Sequence, residues 1–440
     1  MIARVGQLFD RFARRFMPDP FVFAILLTLV TLLAALVATG HGLVEVIGFW
    51  GDGFWEFLSF SMQMCVILVT GHALTQAGPV RKLLAALVGV PRTSSQAIAL
   101  VAVSACLAAW VNWGFGLIVG ALLARDVGRD CRRRGVAVHY PLLGAAGYTG
   151  LGIWHGGLSG SAPLTVAEAQ HSMVDILGVV PISQTILSPR NLVVTLVLLV
   201  VIPLTLVYLQ PEDPEECPAA PPEPPAPAQV EQTPAERLEH SPLLAFAVVL
   251  LGTIWLLSRP FSPGLNTVNL AFLVLGLALH ASPKAYAEAI ADGAGGVAGI
   301  VLQFPFYAGI MGIMKSAGLI MLIASAFVTI SQSVFQATGV QVFYLLTFLS
   351  AGLVNMFVPS GGGQWIVQGP IVVEAASRLG LAQPEAIMAI AYGDQWTNLL
   401  QPFWALPLLA ITGLEARQLI GYTIPVLFTT GVVFGVALLL

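Results

Sequence analysis

Residues 96–124 read QAIALVAVSACLAAWVNWGFGLIVGALLA. These 29 residues would make about 43 Å of helix, whereas two crossings of a bilayer core need about 60 Å. Both flanks are basic: Arg81, Lys82 and Arg92 come before, and Arg125, Arg129, Arg132, Arg133 and Arg134 come after. A single crossing would place the two clusters on opposite sides, against the positive-inside bias. The spacing predicts a re-entrant hairpin that enters and leaves from the cytoplasm, with its tip at Asn112-Trp113-Gly114-Phe115-Gly116. The stretch 340–376 reads likewise, with its tip at Pro359-Ser360-Gly361-Gly362-Gly363.

Composition agrees. Of 440 residues, 57% are hydrophobic and 10% charged, with a mean hydropathy of +0.85. A soluble chain carries about a quarter charged residues, so most of this apolar surface must face lipid. The net charge of −4 leaves no basic excess to neutralise nucleic-acid phosphates. Cys65, Cys106, Cys131 and Cys217 form no CxxC pair, so neither a disulfide framework nor a zinc site is indicated.

Full-length apolar runs lie at 21–38, 57–75, 141–165, 191–209, 242–258, 266–280, 296–314, 384–411 and 419–440. Those at 141–165 and 384–411 are interrupted by Gly, Pro and polar residues. Stretches 44–57 and 283–292 read as amphipathic arms at the membrane surface. Threading nine spans and two hairpins from a cytoplasmic N-terminus leaves 15 of the 19 Lys and Arg inside. It places the C-terminus outside. Residues 210–240, rich in Pro and Glu, read as a disordered or extended cytoplasmic linker.

The chain repeats itself. A shift of 240 residues aligns Asp52-Gly53 with Asp292-Gly293, Gln63 with Gln303, and Ala77-Gly78 with Ala317-Gly318. A shift of 243 aligns Asn112 with Asn355, and one of 244 aligns Tyr148 with Tyr392 and Pro163-Leu164 with Pro407-Leu408. The expected organisation is a first transmembrane repeat (1–209), the linker, a connecting transmembrane helix (241–265) and a second, inverted repeat (266–440). The fold class is thus an all-α polytopic membrane protein. It is an inverted-repeat assembly with two re-entrant hairpins and two broken helices, an architecture that transporters use around a midplane binding site.

Backbone unwinds at membrane depth only where protein or water satisfies it. Four interruptions qualify: the two hairpin tips, the stretch 154–161 (WHGGLSGS), and 393–402 (GDQWTNLLQP). Helix N-termini at such breaks suit a carboxylate, and the opposite helix ends suit a cation. On that basis the substrate residues are Asn112, Trp113, Gly114, Ser159, Gly160, Ser161, Ser360, Gly361, Gly362, Gly363, Gln364, Thr397 and Asn398. The competing reading is small residues for tight helix packing. Asp394, an intramembrane carboxylate, reads as a proton or cation site, or as a structural partner of Gln395 or Asn398. His155 is the second coupling candidate, against a role in helix packing. Trp113, Trp365 and Trp396 either wall an apolar tail or simply pack.

Enzyme chemistry is not indicated. There is no HExxH, and none of Lys82, Lys284 and Lys315 follows a P-loop pattern. Ala391-Tyr-Gly-Asp394 lacks the first glycine of the intramembrane aspartyl protease motif, and no Tyr-Asp pair supplies a second aspartate. No metal or organic cofactor is expected.

At NWGFGLIVGA (112–121), GLSGSAPL (157–164), VPSGGGQWIVQGP (358–370) and AYGDQWTNLLQPFWALP (391–407) the chain resembles the bacterial short-chain fatty acid transporter family, of the acetoacetate and butyrate uptake type. That family is grouped with the ion-transporter superfamily. The resemblance implies an inner-membrane carrier of short-chain monocarboxylates, coupled to H⁺ or Na⁺. It also implies a scaffold that dimerises and a transport domain that moves as an elevator. Related families hold Na⁺ with Ser-Asn-Thr tips, which this chain lacks, so Na⁺ coupling is not carried over.

Overall fold

The computed structural model describes residues 2–169, 171, 173–218, 233–258 and 265–440. They contain helices, short 3₁₀ turns and loops, and no strand. In chain order the first helices are α1 (Ile2–Phe16), α2 (Pro20–Ala38), α3 (Leu43–Gly53), α4 (Leu58–Gln76) and α5 (Gly78–Val88). The hairpin pair α6 (Ser94–Val111) and α7 (Trp113–Arg133) follows. Then come α8 (Tyr140–Tyr148), α9 (Ser161–Thr165), α10 (Val174–Leu177), α11 (Pro189–Tyr208), α12 (Pro234–Glu239) and α13 (Pro242–Leu257). The second half runs α14 (Leu265–His280), α15 (Pro283–Gly293), α16 (Ala298–Ser316), α17 (Leu319–Thr338), α18 (Phe343–Asn355), α19 (Gly361–Arg378), α20 (Gln383–Asn398), α21 (Pro402–Thr412) and α22 (Ala416–Leu439).

The repeat is visible in the helix boundaries. Leu43–Gly53 recurs as Pro283–Gly293, and Leu58–Gln76 as Ala298–Ser316, each 240 residues on at both ends. Two helix-break-helix units and a final long helix follow in both halves. Seven helices among the described residues are long and apolar enough to cross a membrane, or eight if the bent pair α3–α4 counts as one span. The chain is an all-α, multi-pass membrane protein.

Helix starts follow local chemistry. Proline occupies the first turn of α2, α8, α11, α13, α15, α20 and α21, where its missing N–H costs nothing. Both hairpin tips use one device, a side-chain oxygen that caps the returning helix. Asn112 Oδ1 accepts from Phe115 N–H at 3.0 Å, and Ser360 Oγ accepts from Gly363 N–H at 3.1 Å.

The helices pack as two groups. An outer group joins α2, α3 and α16, with α4 against α14 and α15, and α13 on α14. An inner group holds α6–α9, α11 and α18–α22, with α1 lying along α22. Close backbone approach binds the inner group: a Cβ on Gly120 would lie 2.0 Å from the Gly147 carbonyl oxygen, and one on Gly116 would lie 2.4 Å from Ala109.

Three expectations need revision. The arms of the first hairpin exceed 96–124: α6 has 18 residues and α7 has 21, about 27 and 31 Å of helix. Length alone therefore does not exclude two crossings there. The second pair is different, because α18 has only 13 residues, below the roughly 17 that a span needs. Second, α17 is a 20-residue apolar helix that the hydropathy reading passed over.

Third, the start of the Pro- and Glu-rich stretch is packed in place. Glu215 accepts from Arg14 at 2.7 Å and from Gln418 at 2.9 Å, and Tyr140 N–H donates to its carbonyl at 2.7 Å. Glu215 N–H donates to His139 Nδ1 at 2.8 Å. Burial pushes His139 down to about 4, so its ring is neutral near pH 7 and free to accept. Residues 219–232 of the expected linker lie outside the described residues, and the linker's last part forms the short helix α12, capped by Thr233.

Candidate functional site

The two broken helices meet at the centre of the inner group. Between α8 and α9 the chain runs through 3₁₀ turns Thr149–Gly152 and Trp154–Gly156. The N–H groups of His155 and Gly156, freed by this break, both donate to Gln395 Oε1, at 2.8 and 3.2 Å. Ala162 N–H, at the start of α9, donates to His155 Nε2 at 3.2 Å. With Nε2 an acceptor, the ring N–H sits on Nδ1. Nδ1 faces Asp394 Oδ1 at 3.3 Å, both side chains being almost fully enclosed, although the pair lacks hydrogen-bond alignment.

Asp394 is the sole carboxylate among the buried residues described, and no lysine or arginine is buried with it. Its Oδ1 receives Asn398 Nδ2 at 3.4 Å, and its Oδ2 has no partner among the described residues. Gly361, the first residue of α19, closes over this pair. A Cβ there would lie 2.7 Å from His155 Cε1 and 3.3 Å from Asp394 Oδ2. Gly362, by contrast, has nothing within 4 Å of a Cβ. The close approach is at Gly361, and Gly362 borders open space.

The first tip joins the same centre. Trp113 N–H donates to Ser159 Oγ at 3.0 Å, and Leu158 N–H donates to the Trp110 carbonyl at 2.7 Å. A Cβ on Gly160 would strike the His155 carbonyl oxygen at 2.2 Å. Gly114 is buried in the first turn of α7, and Ser161 opens α9 half-buried. The structure thus gathers Asn112, Trp113, Ser159, Gly160, His155, Gly361 and Asp394 around one point.

Two expected ligands, Gln364 and Thr397, face elsewhere, and Asn398, with Nδ2 on Asp394, turns only its Oδ1 away. Gln364 Nε2 donates to the Ala351 carbonyl at 2.9 Å and to Gln368 Oε1 at 2.8 Å, which ties α19 to α18. Thr397 Oγ1 donates to the Gly352 carbonyl at 3.0 Å. Asn398 Oδ1 accepts from Asn355 Nδ2 at 3.2 Å. Asn355 also donates to the Asp394 carbonyl at 2.8 Å and accepts, on its own carbonyl, from Gln401. Among the tryptophans, Trp113 lies at the centre. Trp396 donates to the Leu427 carbonyl at 2.7 Å, and Trp365 packs among apolar residues of α9, α18 and α20.

The sequence reading missed the tyrosines that brace the breaks. Tyr148 Oη lies 2.7 Å from the carbonyl oxygens of both Asn398 and Gln401, at the break where α20 ends. Its repeat mate Tyr392 donates to Asn191 Oδ1 at 2.9 Å, and Asn191 Nδ2 donates to the Gly156 carbonyl at 2.8 Å. The signal was present in the 244-residue pairing of the two tyrosines.

Residues 1–440 match the sequence profile of a family described as short chain fatty acid transporter. The chain belongs to that family. A relative from Escherichia coli (strain K12), named provisionally as a short-chain fatty acid transporter, is 41% identical over 450 residues and covers 100% of both chains. One of the same name from Haemophilus influenzae is 38% identical over 455 residues, covering 100% of this chain and 99% of its own. Members of this family are transporters rather than enzymes. Among solved structures, the YdaH transporter of Alcanivorax borkumensis is similar over 95% of this chain and 98% of its own, at 16% identity and a TM-score of 0.45. MtrF of Neisseria gonorrhoeae covers 97% of each chain at 15% identity and a TM-score of 0.37.

Proposed function

We propose that this family member is a secondary carrier of short-chain monocarboxylates, acetoacetate and butyrate among them, taking them inward across the inner membrane with H⁺ or Na⁺. The observation that carries the reading is Asp394: an unpaired carboxylate oxygen, enclosed beside His155 and under the glycine N-terminus of α19. A fixed channel gains nothing from a lone buried carboxylate, whereas a carrier that must neutralise it before moving obtains coupling. The helix N-termini of α7 and α19 supply N–H groups for the anion. The outer helices serve as a dimerising scaffold, and the inner group, holding both re-entrant hairpins and both breaks, moves as the elevator.

Uptake of labelled butyrate into proteoliposomes tests this. The expected result is saturable uptake, accelerated exchange against internal unlabelled butyrate, and accumulation driven by an imposed pH or Na⁺ gradient. Saturable exchange without response to either gradient would make the protein a small-anion exchanger. Flux without any counterflow would make it a channel.

A further inference from the structure

A continuous run of touching rings leads away from His155. Trp154 stacks on His155 at 4.3 Å, Trp113 lies 6.2 Å from Trp154, and Trp404 lies 5.0 Å from Trp113. Phe403 is 5.0 Å from Trp404, and Tyr307 of α16 is 4.6 Å from Phe403. Phe60 of α4 closes the other side, 6.0 Å from Trp404 and 6.1 Å from Trp113. The run therefore lines the seam between inner and outer helices. One turn beyond Tyr307 on α16, Met311 adjoins the second hairpin tip, its Sδ 3.2 Å from a Cβ built on Gly363.

Besides Trp113 and His155, three members of this run carry hydrogen-bond donors: Trp154 Nε1, Trp404 Nε1 and Tyr307 Oη. All three residues are buried, at 4%, 5% and 1% exposure, and none of these atoms has a partner among the described residues. Buried polar groups without partners are costly and few in native proteins. Trp50, Trp110, Trp365 and Tyr286 also hold unpartnered donors, but none has a ring contact with this run. What the three donors lack is an acceptor.

We infer that Tyr307, Trp404 and Trp154 form the carboxylate-receiving wall of the transport site, with the acid's short tail against Phe60 and Trp113. The inference rests on the carrier reading above and deepens it. Neutral donors bring no charge, and no lysine or arginine is buried to oppose the anion. A cation or proton at Asp394 cancels that residue's own negative charge and removes its repulsion of the anion, so the acid binds well only after the coupling ion. The bulky rings also limit the tail to a few carbons.

Equilibrium binding of labelled butyrate to the purified full chain, competed by unlabelled butyrate or by neutral butyramide, tests the wall. Tyr307→Phe removes one hydroxyl and leaves the ring. It should weaken butyrate binding about tenfold or more, the size of one hydrogen bond to a charged acceptor. It should weaken butyramide competition less, because an amide oxygen is an uncharged acceptor, so the preference for butyrate narrows. Trp404→Phe should narrow the same preference. Wild-type butyrate affinity and wild-type preference in both variants would overturn the wall alone. Absence of saturable butyrate binding in the wild-type chain would overturn the carrier reading, and this inference with it.

Discussion

The two broken helices occupy equivalent places in the repeat and do different work. The first, from α8 to α9, unwinds over residues 149–160 and exposes backbone, with His155 as its only titratable side chain. The second, from α20 to α21, breaks only at 399–401, and its chemistry lies in the side chains just before, Asp394, Gln395 and Asn398. Each repairs the other. Gln395 of the second receives the free N–H groups of the first, and Tyr148 of the first meets carbonyls at the break of the second. Within a common frame the two breaks differ, one presenting backbone and the other charge.

The sharpest way to break this comparison is to ask whether the halves are inverted at all. Helices α5 and α17 occupy equivalent positions, starting at Gly78 and Leu319, but α5 has 11 residues and α17 has 20. If α17 lies along the surface as the shorter α5 must, the second half is inverted and Leu440 is outside. If α17 crosses, both hairpins open to the cytoplasm and Leu440 is inside. The charge count is the same either way, since Arg378 and Arg417 merely trade sides. We expect inversion: cysteines replacing Arg92 and Arg129 should be labelled only from the cytoplasm, and one replacing Leu440 only from outside. The effect is all or none. Cytoplasmic labelling at 440 would remove the inverted relation.

That ambiguity shows what was legible in the sequence. Long uniform spans and both breaks could be read, because apolar length and Gly- or Pro-rich interruption act locally. Helix α17 was missed because Thr329, Ser333 and Thr338 dilute its hydropathy, although each hydroxyl bonds a carbonyl of its own preceding turn. The packed segment 211–218 was missed because backbone groups and one glutamate hold it, which composition does not reveal. At the site, residue types were legible and directions were not. Gln364 and Thr397 look like ligands until helix register turns them toward α18. Tyr307 and Trp404 look like core until their hydroxyl and indole groups are found without partners.

The next largest effect separates charge from backbone support. Asp394→Asn should abolish gradient-driven accumulation of butyrate while preserving butyrate–butyrate exchange, because a permanently neutral site still lets the loaded carrier reorient. His155→Gln should retain coupling and lose only affinity, about tenfold, since the ring serves as a hydrogen-bonding partner through Ala162 N–H and toward Asp394. Accumulation by Asp394→Asn with wild-type ion dependence would move the coupling site elsewhere. Loss of coupling in His155→Gln alone would reverse the division of labour.

The smallest effect concerns the braces, and it is the most direct measure of how the halves are joined. Tyr148 acts directly on carbonyl oxygens, whereas Tyr392 acts through Asn191. Tyr148→Phe removes the one hydroxyl shared by two buried carbonyls, of which that of Asn398 keeps Gln401 N–H, and should cost about 1–3 kcal/mol in stability. Tyr392→Phe removes one donor from an amide that keeps its bonds to the Gly156 and Ile186 carbonyls, so it should cost about 1 kcal/mol. Thermal unfolding of the detergent-solubilised protein reads both. The informative quantity is the double mutant. If each tyrosine merely steadies its own neighbourhood, the two losses add. If the breaks form a single cross-braced unit, freeing one already loosens the other, and the double variant should fall short of the sum by about 0.5 kcal/mol or more. Strict additivity would mean that the two broken helices, though they touch, are held independently.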